Sequence, residues 1–550
     1  MPDAKPKQRI RDGKAWQTVE GLPEILSVKE ERRSTIRKRE GEWYKQERGK
    51  YGVYDDNVRA WTHATHVSHA KEEFLVYPTQ IREKDRTSEE RVYSNAIAVD
   101  SITTGERYTL YETWFDRTGR GEVSEKDANP DKHIRKWTLR GGPKDMYAGA
   151  RKRTNFLLNP DDGIIEARSR TSGETRTDFV LGGNLTSDER RFFIGGFTTT
   201  IGYWEKQYQM LKDSVQLLTY RIRGHDVTRA GRQMEDPTEY LGNITKKPEA
   251  YLKHCANDIG VAIDESNRIL RILPVLSKAS QESDDIPGEF KFADTRRTNK
   301  AKTVEQVDLI GHSMGGMIAR KSIVDNPDHV KSLTLVCSPP DRVLLRDVKA
   351  LSIVSGLPAS VPIPTGVKVG AYVGARIVWD MLPKSVGRSI GTSLATAGLW
   401  TLKKLATSAA IRNSLNVGYR AQAAIRGTKA MDWEQFDTYI GKFRQTPAYT
   451  LQHALKAMAS FNPKSFREFA KSLECTTPIM IVAGGRDSIV DPADCENEAK
   501  DIGALFVSFT NCDHGLPMEE PELFHDVTEE FIRTGNVTPQ DGIEVRDYRK

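Results

Sequence analysis

The segment Gly311-His312-Ser313-Met314-Gly315-Gly316 constrains this chain more than any other. It follows an apolar run, Val307-Asp-Leu-Ile310, and opens a helical pattern from Met314 to Val324. A serine between a strand and a helix stands on a turn too tight for neighbouring side chains. Gly311 and Gly315 supply the space, and the strained turn leaves the Ser313 hydroxyl clear of the sheet. The helix that follows aims its free amides at the same place, where they favour developing negative charge. The pattern is that of a nucleophile, and a nucleophile needs a base and an acid.

The surrounding pattern supports an α/β fold, a mostly parallel sheet flanked by helices. Strand-like runs occur at 163–167, 178–181, 191–194, 215–220, 306–310 and 332–336, separated by helical or polar segments. Two more follow at 478–482 and 504–509, with helical segments at 494–501 and 522–532. We therefore expect a core in two parts, 161–340 and 471–550, with a polar surface-loop insertion at about 278–302. Residues 341–470 read as helical and would form a cap over the strand ends, where open α/β sheets bind ligands. Residues 1–160 carry β-rich runs such as Glu73–Tyr77 and Arg107–Trp114, and read as a mixed or β-rich N-terminal extension of unassigned role.

Two further segments complete the nucleophile pattern. Ala483-Gly-Gly-Arg-Asp-Ser-Ile-Val-Asp-Pro492 follows the seventh strand, and Asn511-Cys-Asp-His-Gly-Leu-Pro517 follows the eighth. With the elbow, they make the chain resemble the α/β-hydrolase superfamily over about 176–535, in its lipase, esterase and monoglyceride-lipase-like branch. The resemblance implies Asp487 as the acid, His514 as the base, and the order Ser313, Asp487, His514. Asp341, after Pro339-Pro340, is an alternative acid. Asp491 and Asp513 are expected to cap or lie at the surface, and His525 to be exposed.

The resemblance also implies an oxyanion hole from the backbone N–H groups of Phe197 and Met314. The loop Phe193-Ile-Gly-Gly-Phe197 departs from the family's usual His-Gly-X, because Gly195 stands at the histidine position. Tyr220-Arg-Ile-Arg-Gly-His225 resembles a family segment whose histidine is structural. The implied chemistry is hydrolysis of a carboxylic ester or thioester through an acyl-enzyme. Acyl transfer, C–C bond hydrolysis or perhydrolysis would use the same triad, and a binding protein that kept the elbow remains open.

Composition excludes other classes. The net charge of +6 over 550 residues is too slight to imply nucleic-acid binding. The first fifty residues carry 14 Lys/Arg against 9 Asp/Glu, but the run Lys29–Arg39 mixes both signs as a solvated helix face does. Five cysteines without a CxxC pair suit reduced thiols. With no apolar leader and no long uncharged apolar stretch, a cytoplasmic protein is expected. His63, His66 and His69 read as surface or packing residues rather than metal ligands, and no P-loop or Rossmann fingerprint appears. No cofactor or metal is expected. The expected partner is a small or lipid-like acyl substrate. The apolar cap stretches 367–379 and 391–405 could touch a membrane surface transiently.

Overall fold

The computed structural model describes residues 43–47, 50–55, 60–84, 90–116, 122–123, 127–142, 153–158, 164–170, 177–197, 201–225, 228–229, 232–233, 249–283, 286, 300–340, 454, 457–458, 460–472, 475–487 and 489–549. Asp341 and most of the expected cap lie outside them. The chain forms two compact units: Met1–Glu174 with 185–187 and Glu265–Thr303, and Thr175–Asn184 with Asp188–Asp264 and Val304–Lys550.

The first unit is antiparallel. Its strands are β1 (Trp43–Glu47), β2 (Lys50–Asp55), β3 (Ala60–His69), β4 (Glu72–Lys84), β5 (Glu90–Ser101), β6 (Arg107–Asp116), β7 (Glu122–Val123), β8 (His133–Gly142), β9 (Arg153–Leu158) and β10 (Ile165–Arg170). They pair in chain order, except that β7 and β8 both pair with β6. Side chains alternate faces along a strand, so His66 faces away from His63 and His69 on β3. The run read at 163–167 is β10, and it pairs antiparallel with β9. Leu75, Tyr77, Ala98 and Ile102 pack into one core cluster.

The second unit holds β11 (Thr177–Gly183), β12 (Arg190–Ile194), β13 (Gln216–Tyr220), the small ribbon β14 (Thr228–Arg229) and β15 (Arg232–Gln233), β16 (Val307–His312), β17 (Val330–Val336), β18 (Ile479–Gly484), β19 (Leu505–Phe509) and β20 (Ile543–Asp547). The main sheet runs β11-β13-β12-β16-β17-β18-β19-β20. It is parallel from β13 to β19 and antiparallel at both ends. Every residue of β12, β16, β18 and β19 is buried. Such unbroken burial is what a sheet covered on both faces produces, even where the strand carries Arg191 or Asp308. The terminal strand β20 was not anticipated: Ile-Glu-Val-Arg-Asp alternates weakly, and its outer edge leaves Glu544, Arg546 and Asp547 exposed.

The helices are α1 (Glu205–Leu211), α2 (Glu249–Glu282), α3 (Met314–Asp325), α4 (Lys464–Lys471), α5 (Pro492–Ile502), α6 (Leu516–Glu519) and α7 (Pro521–Thr534). Helix α2 corrects the expected loop: residues 278–282 are helical, and 284–285 and 287–299 lie outside the described residues. Ser277 and Ser280 are buried, and the Ser280 hydroxyl bonds to the Ser277 carbonyl. A helix can hide small hydroxyls in this way, which a polar reading of the sequence overlooks. His525 is half-buried rather than exposed. It flanks the stripe Phe524, Val527, Thr528 and Phe531 with which α7 covers the sheet.

Candidate active site

Parallel strands deliver their carboxyl ends to one edge, and the loops there hold the described candidates. Ser313 follows β16, the loop 195–197 follows β12, Asp487 follows β18 and His514 follows β19.

Ser313 has φ 53° and ψ −120°, a conformation that L-residues rarely adopt. Its amide donates to Val336 O at 2.9 Å, and its carbonyl accepts from Gly316 N at 3.0 Å and from Ser338 Oγ at 2.9 Å. The two elbow glycines are needed for space. A Cβ on Gly311 would lie 2.7 Å from Gly315 O, and one on Gly315 would strike the carbonyls of Ile194 and Gly195. The second contact places the 195–197 loop directly against the elbow. Gly196 lies close as well, since its Cβ would stand 3.0 Å from Ser313 Cβ and 2.9 Å from His312 Nδ1.

Asp487 and His514 meet. Asp487 Oδ2 accepts from His514 Nδ1 at 2.9 Å, while Oδ1 accepts from the amides of Ile489 and Val490 at 2.8 and 2.9 Å. The carboxylate is thus oriented by its own loop before it orients the ring. Burial works to lower the His514 pKa, but the Asp487 charge and hydrogen bond, with Asp513 and Glu519 nearby, prevail and raise it. Asp513 Oδ1 accepts from the His514 amide at 2.8 Å, a local turn contact. Asp491 caps α5 by accepting from Ala493 N.

Several residues that no motif singled out hold these parts in place. His312 Nε2 donates to His514 O at 2.8 Å, and its ring stacks on Tyr203 with centroids 4.7 Å apart. Burial, then the His514 ring, push the His312 pKa down to about 3, so it stays a neutral donor. Glu519 accepts from Asp513 N at 2.7 Å, and burial raises its pKa to about 7. Beneath the elbow, Arg320 donates to Ser338 Oγ at 2.6 Å and pairs with Glu498 at 2.5 Å, all three buried. A chain from Glu498 through Arg320 and Ser338 therefore ends on the Ser313 carbonyl. Arg320 stands beside Lys321 on a helix that also carries Asp325, so no local pattern marks it as the buried cation.

Met314 opens α3, so its N–H is one of the helix's free N-terminal donors. Phe197 is half-buried and meets the buried His225 edge-on, with centroids 6.5 Å apart. Burial lowers the His225 pKa to about 4. The His225 ring lies 3.3 Å from the Tyr251 hydroxyl, a packing role.

A family model described as alpha/beta hydrolase fold matches residues 193–521. The chain belongs to this family. A comparison with curated proteins returns no match. Similar solved structures include a carboxylesterase of Nitrososphaera gargenis, at 14% identity and TM-score 0.36 over 69% of this chain and 97% of that one. A hydrolase from Oleispira antarctica is similar at 15% identity and TM-score 0.37, over 65% and 94%. An epoxide hydrolase of Bacillus megaterium is similar at 11% and 0.36, over 69% and 100%. Among the described residues of this α/β-hydrolase-fold chain, no helix is long and apolar enough to cross a membrane.

Proposed function

We propose that the protein is a serine hydrolase that cleaves a carboxylic ester or thioester through an acyl-enzyme. The observation that carries this is the Asp487–His514 hydrogen bond at 2.9 Å, formed at the strand edge that also holds Ser313 on its left-handed turn. His514 accepts the Ser313 proton, and Ser313 Oγ attacks the substrate carbonyl. The amides of Phe197 and Met314 stabilise the oxyanion, each by about 3 kcal/mol in the barrier. His514 then protonates the leaving group and activates water to release the acid. The close packing of the 195–197 loop on the elbow supports this despite glycine at position 195. A serine at the elbow argues against the aspartate-dependent branches of the superfamily. The Pro340–Asp341 stretch and the cap over 341–470 remain part of the proposal: a helical lid that selects the acyl chain, with Asp487 preferred to Asp341 because it is bonded to His514.

The test is labelling by a fluorophosphonate probe. The wild type is expected to label and Ser313→Ala to lose the label, with p-nitrophenyl esters of graded chain length then defining the acyl preference. A folded wild type that does not label would favour the binding-protein reading.

A further inference from the structure

We propose that Cys337, Asp487 and His514 form an inhibitory site for a thiophilic divalent cation such as Zn²⁺. The consequence for activity rests on the serine-hydrolase reading; the binding itself does not.

The Cys337 sulfur, an Asp487 carboxylate oxygen and a His514 ring nitrogen all lie within 4.8 Å of one another. Tetrahedral zinc with bonds of about 2.0–2.3 Å brings such atoms to roughly 3.5 Å apart. Shifts of about an ångström or less would close the set. Thiolate, imidazole and carboxylate are also the ligand types zinc takes.

One further observation singles out Cys337. It follows β17 directly at φ 45°, one of four non-glycine residues with positive φ among the described residues. Strain of that kind persists where the surroundings hold a side chain in place. Without metal, burial and the Asp487 charge keep the thiol protonated. The His514 side chain, 16% exposed, is the edge from which an ion would enter.

The exchange balances. Neutral His514 carries its proton on Nδ1, where it donates to Asp487. On binding, Zn²⁺ takes the Nδ1 lone pair, an Asp487 oxygen and the Cys337 sulfur. The thiol proton leaves to water, and the ring proton is relocated to Nε2. The ring then presents N–H where a lone pair must accept the Ser313 proton, so the base is disabled without any change at the serine.

The experiment measures thermal stability in ZnCl₂, with MgCl₂ as control, and fluorophosphonate labelling of the same samples. Wild type and Ser313→Ala are expected to gain stability with zinc and lose the gain in EDTA; wild-type labelling should fall in parallel. Cys337→Ser, and Cys337→Ala as a second variant, should need at least about tenfold more zinc for either response, each judged against its own zinc-free state. A zinc response that is unchanged in both cysteine variants, or absent from the wild type, overturns the site. Stabilisation by zinc in a wild type that never labels would instead uphold the site and remove the hydrolase reading.

Discussion

Asp487 does two things to His514: it fixes which nitrogen carries the proton, and it raises the ring's pKa against burial. Replacing it with asparagine keeps the shape but removes the charge and favours the wrong tautomer of the ring. Asp487→Asn is therefore expected to lower kcat by about 10⁴ at neutral pH, measured on a p-nitrophenyl ester. The pH dependence follows the same cause. The protonated pair adds stability that is complete below the unfolded value of about 6.5 and is lost as pH rises through the higher folded value. Catalysis needs the neutral ring, so the acid limb of kcat/KM should fall above pH 6.5. In Asp487→Asn only Asp513 and Glu519 are left to oppose burial, and that limb should move to lower pH; an unmoved limb would mean that another group titrates. These residues were readable because each sits in a short local pattern. Cys337 and Ser338 were not, because nothing in Val-Cys-Ser-Pro distinguishes residues that meet the site from residues that end a strand.

At the scale of elements, the elbow and the 195–197 loop act as one piece. Gly315 lets the β12 carbonyls approach, and Gly196 lets the loop lie on Ser313 and His312. The glycine pair after β12 was legible in the sequence, and so was its departure from the usual histidine. Its fit against His312 was not, since that depends on two strands 117 residues apart in register, Arg191 with Asp308. A methyl group at position 196 would press first on His312 Nδ1 and Ser313 Cβ and less closely, at 3.2 Å, on the His312 carbonyl, so the fold should survive while the loop shifts. Gly196→Ala is expected to lower kcat by about 10²–10³, the loss typical of one oxyanion donor, with a circular-dichroism melt close to that of the wild type. Full activity in this variant would sink the assignment of Phe197 N–H as a donor.

For the chain as a whole, strands and helices could be read locally because buried parallel strands are apolar runs and the helices between them carry polar faces. What escaped was long-range and polar. The serines inside α2 looked like a loop, and β10 looked like a parallel strand because its partner β9 is recognised only by pairing. The clearest case is Arg191, a charged residue inside an all-buried strand. It bonds to Asp308 on the elbow strand at 2.6 Å, to Glu189 at 2.9 Å and to Glu529 of α7 at 2.8 Å. One guanidinium thus ties β12 and β16 to the helix near the chain's end, over 338 residues of sequence. The partners differ in setting: the Asp308 side chain is 1% exposed and that of Glu529 26%. Arg191→Leu strands a buried carboxylate and should cost about 3–5 kcal/mol. Glu529→Ala removes a partly solvated partner and should cost about 1 kcal/mol or less. Urea unfolding of both variants checks this through their midpoints. Equal losses would mean that the pair to α7, rather than the burial of Asp308, sets the strength of this junction.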